Sequence, residues 1–295
     1  MNDQEYIRTD LAAECPVIES GKSASGIKIS KSNFGNIELT IIDVLTDEGS
    51  KAINKPIGKY VTLFFGKINT LDESDFDNIT KILSAQIKEM SDKLILNIKN
   101  PSVLVVGLGN RYITPDAVGP LTVKGITVSR HLKEKNKKLF DMLNMQSICA
   151  ISPGVLGQTG IETFEIINGI KQNICPDLII AVDALASRST DRLASTIQIC
   201  DSGISPGSGI GNHNKSINKE STGVPVIAIG VPTMVSSATL VYDALEKAGV
   251  EKKDELYDVL NNGKSFYVTL NDCDLIVNTL SQLISDAINT AFTSR

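Results

Sequence analysis

The chain has 295 residues, of which 42% are hydrophobic and 21% are charged, and its formal net charge at pH 7 is −5. This apolar content can fill the core of one large α/β domain or of two small ones, and it excludes a disordered chain. The acidic balance argues against nucleic acid as a partner, because phosphate binding needs clustered Lys and Arg. The densest basic run, residues 133–138, falls on a predicted helix and is typical of a solvated face.

The N-terminus and the cysteines bear on the compartment. The opening sequence, MNDQEYIRTD, contains no apolar signal region, and no segment approaches the roughly 18 continuous apolar residues of a membrane span. The five cysteines are widely spaced and include no CxxC pair, so neither a disulfide framework nor a zinc ribbon is indicated. We therefore predict a cytoplasmic protein that has no membrane partner and whose cysteines are buried thiols.

A polar lead-in opens the chain. Residues 1–35 are rich in Ser, Lys and Gly, and we expect them to form an arm or a loosely held segment. Apolar alternation then predicts strands at 37–41 and 60–65. Apolar residues recur at helical spacing over 79–90, which predicts a helix that covers the sheet.

The next segment joins a core strand to a candidate functional residue. Residues 103–106, VLVV, form an unbroken apolar run that is typical of a parallel strand covered on both faces. Gly107 and Gly109 then allow a tight turn, and Asp116 follows just before a predicted helix at 121–137. A carboxylate is thereby expected at the carboxyl end of a core strand, which is the edge where sites form in open α/β sheets.

Strands and helices alternate through the rest of the chain. We predict strands at 146–151, 178–182, 196–200 and 225–230, and helices at 160–173, 237–248 and 271–291. Glycine-rich loops lie at 152–160 and 201–215, and Asp183 directly follows the continuous apolar strand at 178–182. The pattern predicts an α/β fold with a mostly parallel or mixed sheet that is covered by helices on both faces.

Asp116 and Asp183 are the candidate catalytic residues. Both follow core strands, and parallel strands bring their carboxyl ends to one edge of a sheet, so the two carboxyl groups are expected to lie close together. A close carboxyl pair does not readily ionise twice, so one member keeps a proton while the other accepts a proton from water. The pair can thus supply a general acid and a general base. An aspartate at a strand end can equally be a helix cap or a loop-bonding residue, and that interpretation stays open.

Other chemistries have less support in the sequence. Nucleophilic catalysis would need a histidine near an elbow such as GxSxG, and neither His131 nor His213 lies beside one. Tyr112 stands where a dinucleotide fingerprint needs its third glycine. Residues 207–211 lack the Lys-Ser or Lys-Thr that follows a phosphate cradle, which favours a flexible loop. A metal site built from the two aspartates and a histidine remains an alternative.

Several segments carry a resemblance to a known family. In chain order they are GLGNRYITPDAVGP, SPGVLGQTGIET, PDLIIAVDALASR, TIQICDSGISPGSGIGN and GVPVIAIGVPTMV. Together they closely resemble the germination protease family of spore-forming bacteria, endopeptidases that degrade small acid-soluble spore proteins. The resemblance is dense over residues 103–235, and RTDLAAE at residues 8–14 belongs to it too.

The resemblance implies an α/β fold related to the hydrogenase-maturation peptidases and an atypical aspartic-type endopeptidase. The essential aspartates of the family fall on Asp116 and Asp183. The resemblance also implies a homotetramer that acts in the cytoplasm of the spore core on small acid-soluble spore proteins. We expect no metal, no cofactor and no nucleic acid.

Members of the family are made as zymogens that remove their own N-terminal segment. The cleavage site resembles those in the substrates, an acidic residue preceded by Thr or Ser and followed by an apolar residue and Ala. Thr9-Asp10-Leu11-Ala12 fits this pattern, so cleavage between Thr9 and Asp10 would release a propeptide of residues 1–9. A single peptidase domain, 10–295, would remain, with 10–35 as its loosely held lead-in.

The remaining predicted site residues are expected to bind or support the substrate. They are Gly154, Gln158, Thr159, Arg188, Gly207 and Gly209. Glycines let the main chain of the substrate approach that of the enzyme, and Gln158 and Thr159 could donate hydrogen bonds to a developing oxyanion or stabilise their loop. Arg188 could steer the ionisation of Asp183, bind the acidic residue of the cleavage site, or form a surface ion pair. An alternative function is a metal-binding or non-catalytic maturation or peptide-recognition factor of the same fold.

Overall fold

The computed structural model of the chain describes residues 9–20, 24–96, 98–207, 215–250, 259–260 and 266–293. Within these residues the strands join one mixed sheet of nine strands, and helices pack against both of its faces. The predicted α/β class, with a mixed sheet covered on both sides, is confirmed. None of the helices in this part of the chain combines the length and the apolar content that a membrane crossing requires.

The described strands, in chain order, are β1 (Ile27–Phe34), β2 (Ile37–Val44), β3 (Gly58–Phe64), β4 (Ser102–Gly107), β5 (Ser147–Ile151), β6 (Leu178–Ser187), β7 (Thr196–Cys200), β8 (Val226–Ser236) and β9 (Tyr267–Val268). Their order across the sheet is β1-β2-β3-β7-β8-β6-β4-β5, with β9 paired to the end of β8. Strands β5, β4, β6 and β8 run parallel to one another, and the other described pairs are antiparallel. The parallel half contains the continuous apolar runs of the sequence, because both faces of these strands are buried.

The described α-helices are α1 (Pro16–Glu19), α2 (Asp47–Ile53), α3 (Glu73–Leu94), α4 (Val118–Gly125), α5 (Arg130–Lys135), α6 (Lys137–Leu143), α7 (Leu156–Thr159), α8 (Thr163–Ile174), α9 (Lys219–Thr222), α10 (Ser237–Lys247) and α11 (Cys273–Phe292). Helices α3, α4 and α11 share the largest apolar cluster with one face of the sheet. On the opposite face, α8 buries Phe164 and Ile167 against β4 and β6. The chain segment before β1 packs with α2 against the antiparallel half of that face.

The N-terminal segment differs from the predicted loosely held lead-in at 10–35. Leu11, Ala12 and Glu14 have no exposed surface, and residues 27–34 form strand β1 at the edge of the sheet. Ala12 belongs to an apolar cluster that also contains residues of α1, α2 and β2. The segment is ordered because its few apolar side chains pack into this cluster. Its polar composition does not predict this packing.

Predicted boundaries are wrong for the helix at 121–137 and for the strands at 178–182 and 225–230, the last of which extends to Ser236 as β8. The helix predicted at 121–137 is observed as α4, α5 and α6, and the chain leaves the helical conformation at the β-branched residues 126–128. Strand β6 does not end before Asp183 but continues to Ser187, because β8 pairs with it along this length. Asp183 therefore lies inside a strand rather than at its end.

Candidate active site

Asp183 lies deep in the sheet, on strand β6. The residue is only 5% exposed, and its Oδ1 accepts a hydrogen bond from the N–H of Ala184 at 2.9 Å. Burial raises the pKa of the Asp183 carboxyl well above its usual range, and the negative charge of Asp116 raises it further. The folded chain therefore favours the protonated form of Asp183.

Asp116 ends a 3-10 turn that precedes α4. Its Oδ2 accepts a hydrogen bond from the N–H of Asn110 at 2.7 Å. Gly109 has a φ of 104°, and a Cβ at this position would lie 2.2 Å from the backbone oxygen of Asp116, so the turn requires glycine. Burial raises the pKa of the Asp116 carboxyl, while the hydrogen bond from Asn110 opposes this effect.

The packing of α4 against β4 and β6 brings the two aspartates together. A Cβ at Gly119, in the first turn of α4, would lie 2.2 Å from the carbonyl oxygen of Leu108 and 2.4 Å from that of Val182. The helix can approach this closely only because it carries no side chain there. Asp116 lies just before α4 and Asp183 just after Val182, and both line one cavity of about 420 Å³.

Residues 9–19, the N-terminal segment, begin in the same cavity. Thr9 and Asp10 line it together with the aspartates. Asp10 pairs with the backbone of Ala186 on β6, since its N–H donates to the Ala186 carbonyl at 2.9 Å and its Oδ2 accepts the Ala186 N–H at 2.9 Å. After burial and the charge of Asp116, the charge of Asp10 is a further cause that raises the pKa of Asp183. The segment thus lies within electrostatic reach of the candidate catalytic pair.

Lys55 and Gln198, which the sequence analysis missed, bind the backbone of this segment. The Nζ of Lys55 donates to the carbonyl oxygens of Thr9 at 3.1 Å and of Asp10 at 3.0 Å. The Nε2 of Gln198 donates to the Asp10 carbonyl at 3.2 Å, and its Oε1 accepts the N–H of Ala12 at 2.8 Å. Gln198 had a signal in the sequence, because a polar side chain in the middle of an apolar strand needs a buried partner. Lys55 had none.

Glu14 anchors the other end of the segment. Its buried carboxylate accepts the backbone N–H groups of Arg188 at 2.7 Å and Ser189 at 2.9 Å, and the Thr9 hydroxyl donates to it as well. The guanidinium of Arg188 lies 3.3 Å from the carboxylate of Glu19. Arg188, a predicted site residue, therefore binds acidic groups of the N-terminal segment through both its backbone and its side chain.

The predicted loop residues near α7 contact the turn that holds Asp116 rather than the N-terminal segment. The Nε2 of Gln158 donates to Oδ1 of Asn110, whose own N–H binds Asp116. Gly154 lies against Gln158, because a Cβ there would be 3.0 Å from its Oε1. The hydroxyl of Thr159 donates to the carbonyl of Ile161 within its own loop. These contacts favour the loop-stabilising interpretation of Gln158 and Thr159.

Gly207 lines the cavity, whereas Gly209 lies outside the described residues, as does His213. Among the residues that the structure describes, no group of three or more His, Cys, Asp or Glu side chains is placed to hold a metal ion. A metal bound by Asp116 and Asp183 would need a further donor from elsewhere in the chain or from solvent.

Comparison with known proteins gives the following matches. The peptidase family described as germination protease matches residues 7–248. The germination protease of Clostridium acetobutylicum is 41% identical over 97% of this chain and 94% of its own length. That of Clostridium perfringens strain 13 is 42% identical over 91% of this chain and 81% of its own length. A solved structure, the NiFe hydrogenase maturation protease HycI from Thermococcus kodakarensis, aligns with a TM-score of 0.33 and 17% identity over 67% of this chain and 97% of its own.

Proposed function

Because this chain belongs to the germination protease family, we propose that it is an endopeptidase that initiates the degradation of small acid-soluble spore proteins in the spore core. It is made as a zymogen and first removes its own N-terminal propeptide. The observation that carries the proposal is a single cavity that contains both the Asp116 and Asp183 carboxyl groups and the Thr9-Asp10 segment. That segment has the sequence expected of a cleavage site.

The aspartate pair acts as a general acid and a general base. Asp183, the more deeply buried carboxyl, holds the shared proton, and Asp116 is ionised. Asp116 accepts a proton from a water molecule as the water oxygen attacks the carbonyl carbon, and the electron pair of the carbonyl bond moves to its oxygen. Asp183 then gives its proton to the amide nitrogen as the carbon–nitrogen bond breaks. The products are a carboxyl group and an amine.

Two neighbouring peptide bonds are candidates for self-processing. The sequence motif favours the bond between Thr9 and Asp10. The hydrogen bonds favour the next bond, between Asp10 and Leu11, because Lys55 and Gln198 both donate to the Asp10 carbonyl oxygen. Intact mass measurement separates them, since the first cut removes residues 1–9 and the second removes residues 1–10.

The bound N-terminal segment indicates how a spore protein is recognised. Its acidic residue, Asp10, makes two hydrogen bonds to the backbone of Ala186, one from its own N–H and one through its side-chain carboxylate. A second acidic residue, Glu14, is held by two backbone N–H groups. We propose that a substrate occupies the same path in an extended conformation, with the loop around Gly207 beside it. We also propose that the active form is a homotetramer, which light scattering of the purified chain tests.

One observation favours a second candidate, a peptide-recognition or metal-binding factor without protease activity. Asp10 and Ala12 are held by several hydrogen bonds, as a peptide is held in a recognition site. Such a factor would bind spore proteins without cutting them.

Cleavage of a small acid-soluble spore protein at mildly acidic pH, followed by mass spectrometry with and without EDTA, distinguishes the two candidates. The proposal predicts fragments that end at the Thr/Ser-acidic-apolar-Ala motif, produced equally in EDTA. Asp183→Asn should produce none. Asp177→Asn is the matched control, because Asp177 lies at the opposite end of β6 and accepts the N–H of Ser102 at 2.8 Å. Intact substrate after incubation with the unaltered chain would refute the protease, and loss of cleavage in EDTA would favour a metal-dependent enzyme.

A further inference from the structure

The positively charged Nζ of Lys55 lies beside two carbonyl groups of the N-terminal segment. Its Nζ lies 3.1 Å from the Thr9 oxygen and 3.0 Å from the Asp10 oxygen. These oxygens belong to the two peptide bonds that are candidates for cleavage, so Lys55 contacts the reacting carbonyl whichever bond is cut. Peptide hydrolysis puts a negative charge on that oxygen, and a cation fixed beside it stabilises the transition state more than the substrate.

The backbone around Lys55 fixes this position before any reaction occurs. Asn54 ends α2 in the left-handed conformation, with a φ of 51°, and the Lys55 N–H donates to the Ser50 carbonyl at 3.2 Å. The phenol of Tyr60 donates to the Pro56 carbonyl at 2.8 Å. A group that is already oriented needs no reorganisation when charge develops, which is the condition for effective electrostatic catalysis.

Gln198 completes the arrangement from the floor of the cavity. It lies opposite Gly230 on β8, and Gly230 lies opposite Asp183 on β6, so the three residues share one row across the sheet. Adjacent strands are about 4.8 Å apart, so about 10 Å separates the backbones of Asp183 and Gln198. Gln198 donates to the Asp10 carbonyl and accepts from Ala12, so it fixes the segment across the scissile region.

We infer that Lys55 is a catalytic residue of this protease, the cation that stabilises the oxyanion formed on the scissile carbonyl, and that Gln198 positions the same peptide beside it. The inference depends on the proposed function, since it assigns a role within the cleavage reaction. Lys55 takes no part in the proton transfers, because the water proton goes to Asp116 and the leaving amine receives its proton from Asp183. Because the ammonium group of Lys55 contacts only main-chain carbonyl oxygens, this interaction does not depend on the side chains of the bound peptide.

The rate at which the full chain loses its N-terminal residues at mildly acidic pH, followed by intact mass, tests the inference. Lys55→Met removes the charge and the donor, and Lys55→Gln removes the charge but keeps a polar group of nearly the same reach. Both should process about 100-fold more slowly than the unaltered chain, the loss typical of one oxyanion donor. Lys51→Met is the matched control, because Lys51 is an exposed lysine in the last turn of α2. It should process at the unaltered rate.

A second measurement separates catalysis from simple anchoring of the segment. Hydrogen exchange at the amides of Asp10 and Ala12 is measured with and without Lys55→Met in the Asp183→Asn background, which keeps the chain intact. We expect unchanged protection, because these amides donate to Ala186 and Gln198, and Lys55→Met leaves both acceptors in place. An unchanged processing rate, an equal loss in Lys51→Met, or exchange that rises in step with the rate loss would each overturn the role of Lys55. If the unaltered chain itself is never processed, the proposed function fails instead.

Discussion

The close approach of α4 to the sheet gives a prediction that joins stability to activity. In Gly119→Ala the added Cβ would lie 2.2 to 2.5 Å from three backbone atoms of Leu108 and Val182, whereas ordinary contact begins at 3.4 Å. Neither strand can move aside easily, because β4 and β6 are paired in the centre of the sheet. Helix α4 must therefore retreat by about 1 Å, and it carries the preceding Asp116 away from Asp183.

The expected costs follow from this displacement. Overpacking against backbone in a rigid core should lower the free energy of unfolding by about 3 kcal/mol. A displacement of about 1 Å between reacting groups should slow self-processing about 100-fold. The urea midpoint and the rate of loss of the N-terminal residues measure the two effects on the same samples.

Gly169→Ala supplies the matched control. Gly169 is an exposed glycine inside α8, and a Cβ there would meet nothing within 4 Å. This substitution should stabilise the chain by about 1 kcal/mol through helix propensity and leave processing unchanged. If Gly119→Ala keeps the unaltered midpoint and rate, or if both alanines behave alike, then the packing of α4 does not position Asp116.

Two further predictions concern the buried carboxyl groups. Because burial raises the pKa of Asp183, its contribution to folding is fully present below the unfolded pKa near 4 and is lost as pH rises towards the folded value. The side chain that Asp183→Asn introduces cannot ionise, so this variant should gain stability relative to the unaltered chain as pH rises from about 4 to 7. The gain, measured from urea midpoints, should be about 1.4 kcal/mol for each tenfold difference between the folded and unfolded acid constants. A constant difference in stability across this range would contradict a raised pKa for Asp183. Glu14→Gln replaces an acceptor of two backbone N–H groups with an amide that can accept only through one oxygen, so the N-terminal segment should lose about 2 to 3 kcal/mol of local stability. Hydrogen exchange at the amides of Leu11 to Glu14 should accelerate accordingly, and unchanged protection would show that the carboxylate is not the anchor.

The sequence predicted the parallel half of the sheet well. Continuous apolar runs such as residues 103–106 and 178–182 predict buried parallel strands, because a strand covered on both faces buries every side chain along its length. Asp116 and Asp183 line one cavity, although Asp183 lies inside β6 and only Asp116 follows the end of its strand. The sequence did not show that β6 continues past Asp183, because that extension depends on pairing with the distant strand β8.

The residues around the N-terminal segment were beyond the reach of local patterns. Lys55 contacts Asp10 across 45 positions of the chain, and Gln198 contacts Ala12 across 186. Glu14 is fully buried although charged residues are rarely inside, because the backbone N–H groups that satisfy it lie after β6. Composition predicts a polar arm at the start of the chain, and only tertiary contacts reveal that Thr9 and Asp10 lie in the cavity and that Glu14 is anchored beside β6.

The intact mass of the chain over time at mildly acidic pH is the most direct test of catalysis by the aspartate pair. The unaltered chain and Asp177→Asn should lose the residues up to Thr9 or Asp10. Asp116→Asn and Asp183→Asn should each remain at full length while keeping the fold and the urea transition of a stable protein. If Asp116→Asn or Asp183→Asn were processed at the unaltered rate, cleavage would not depend on the aspartate pair.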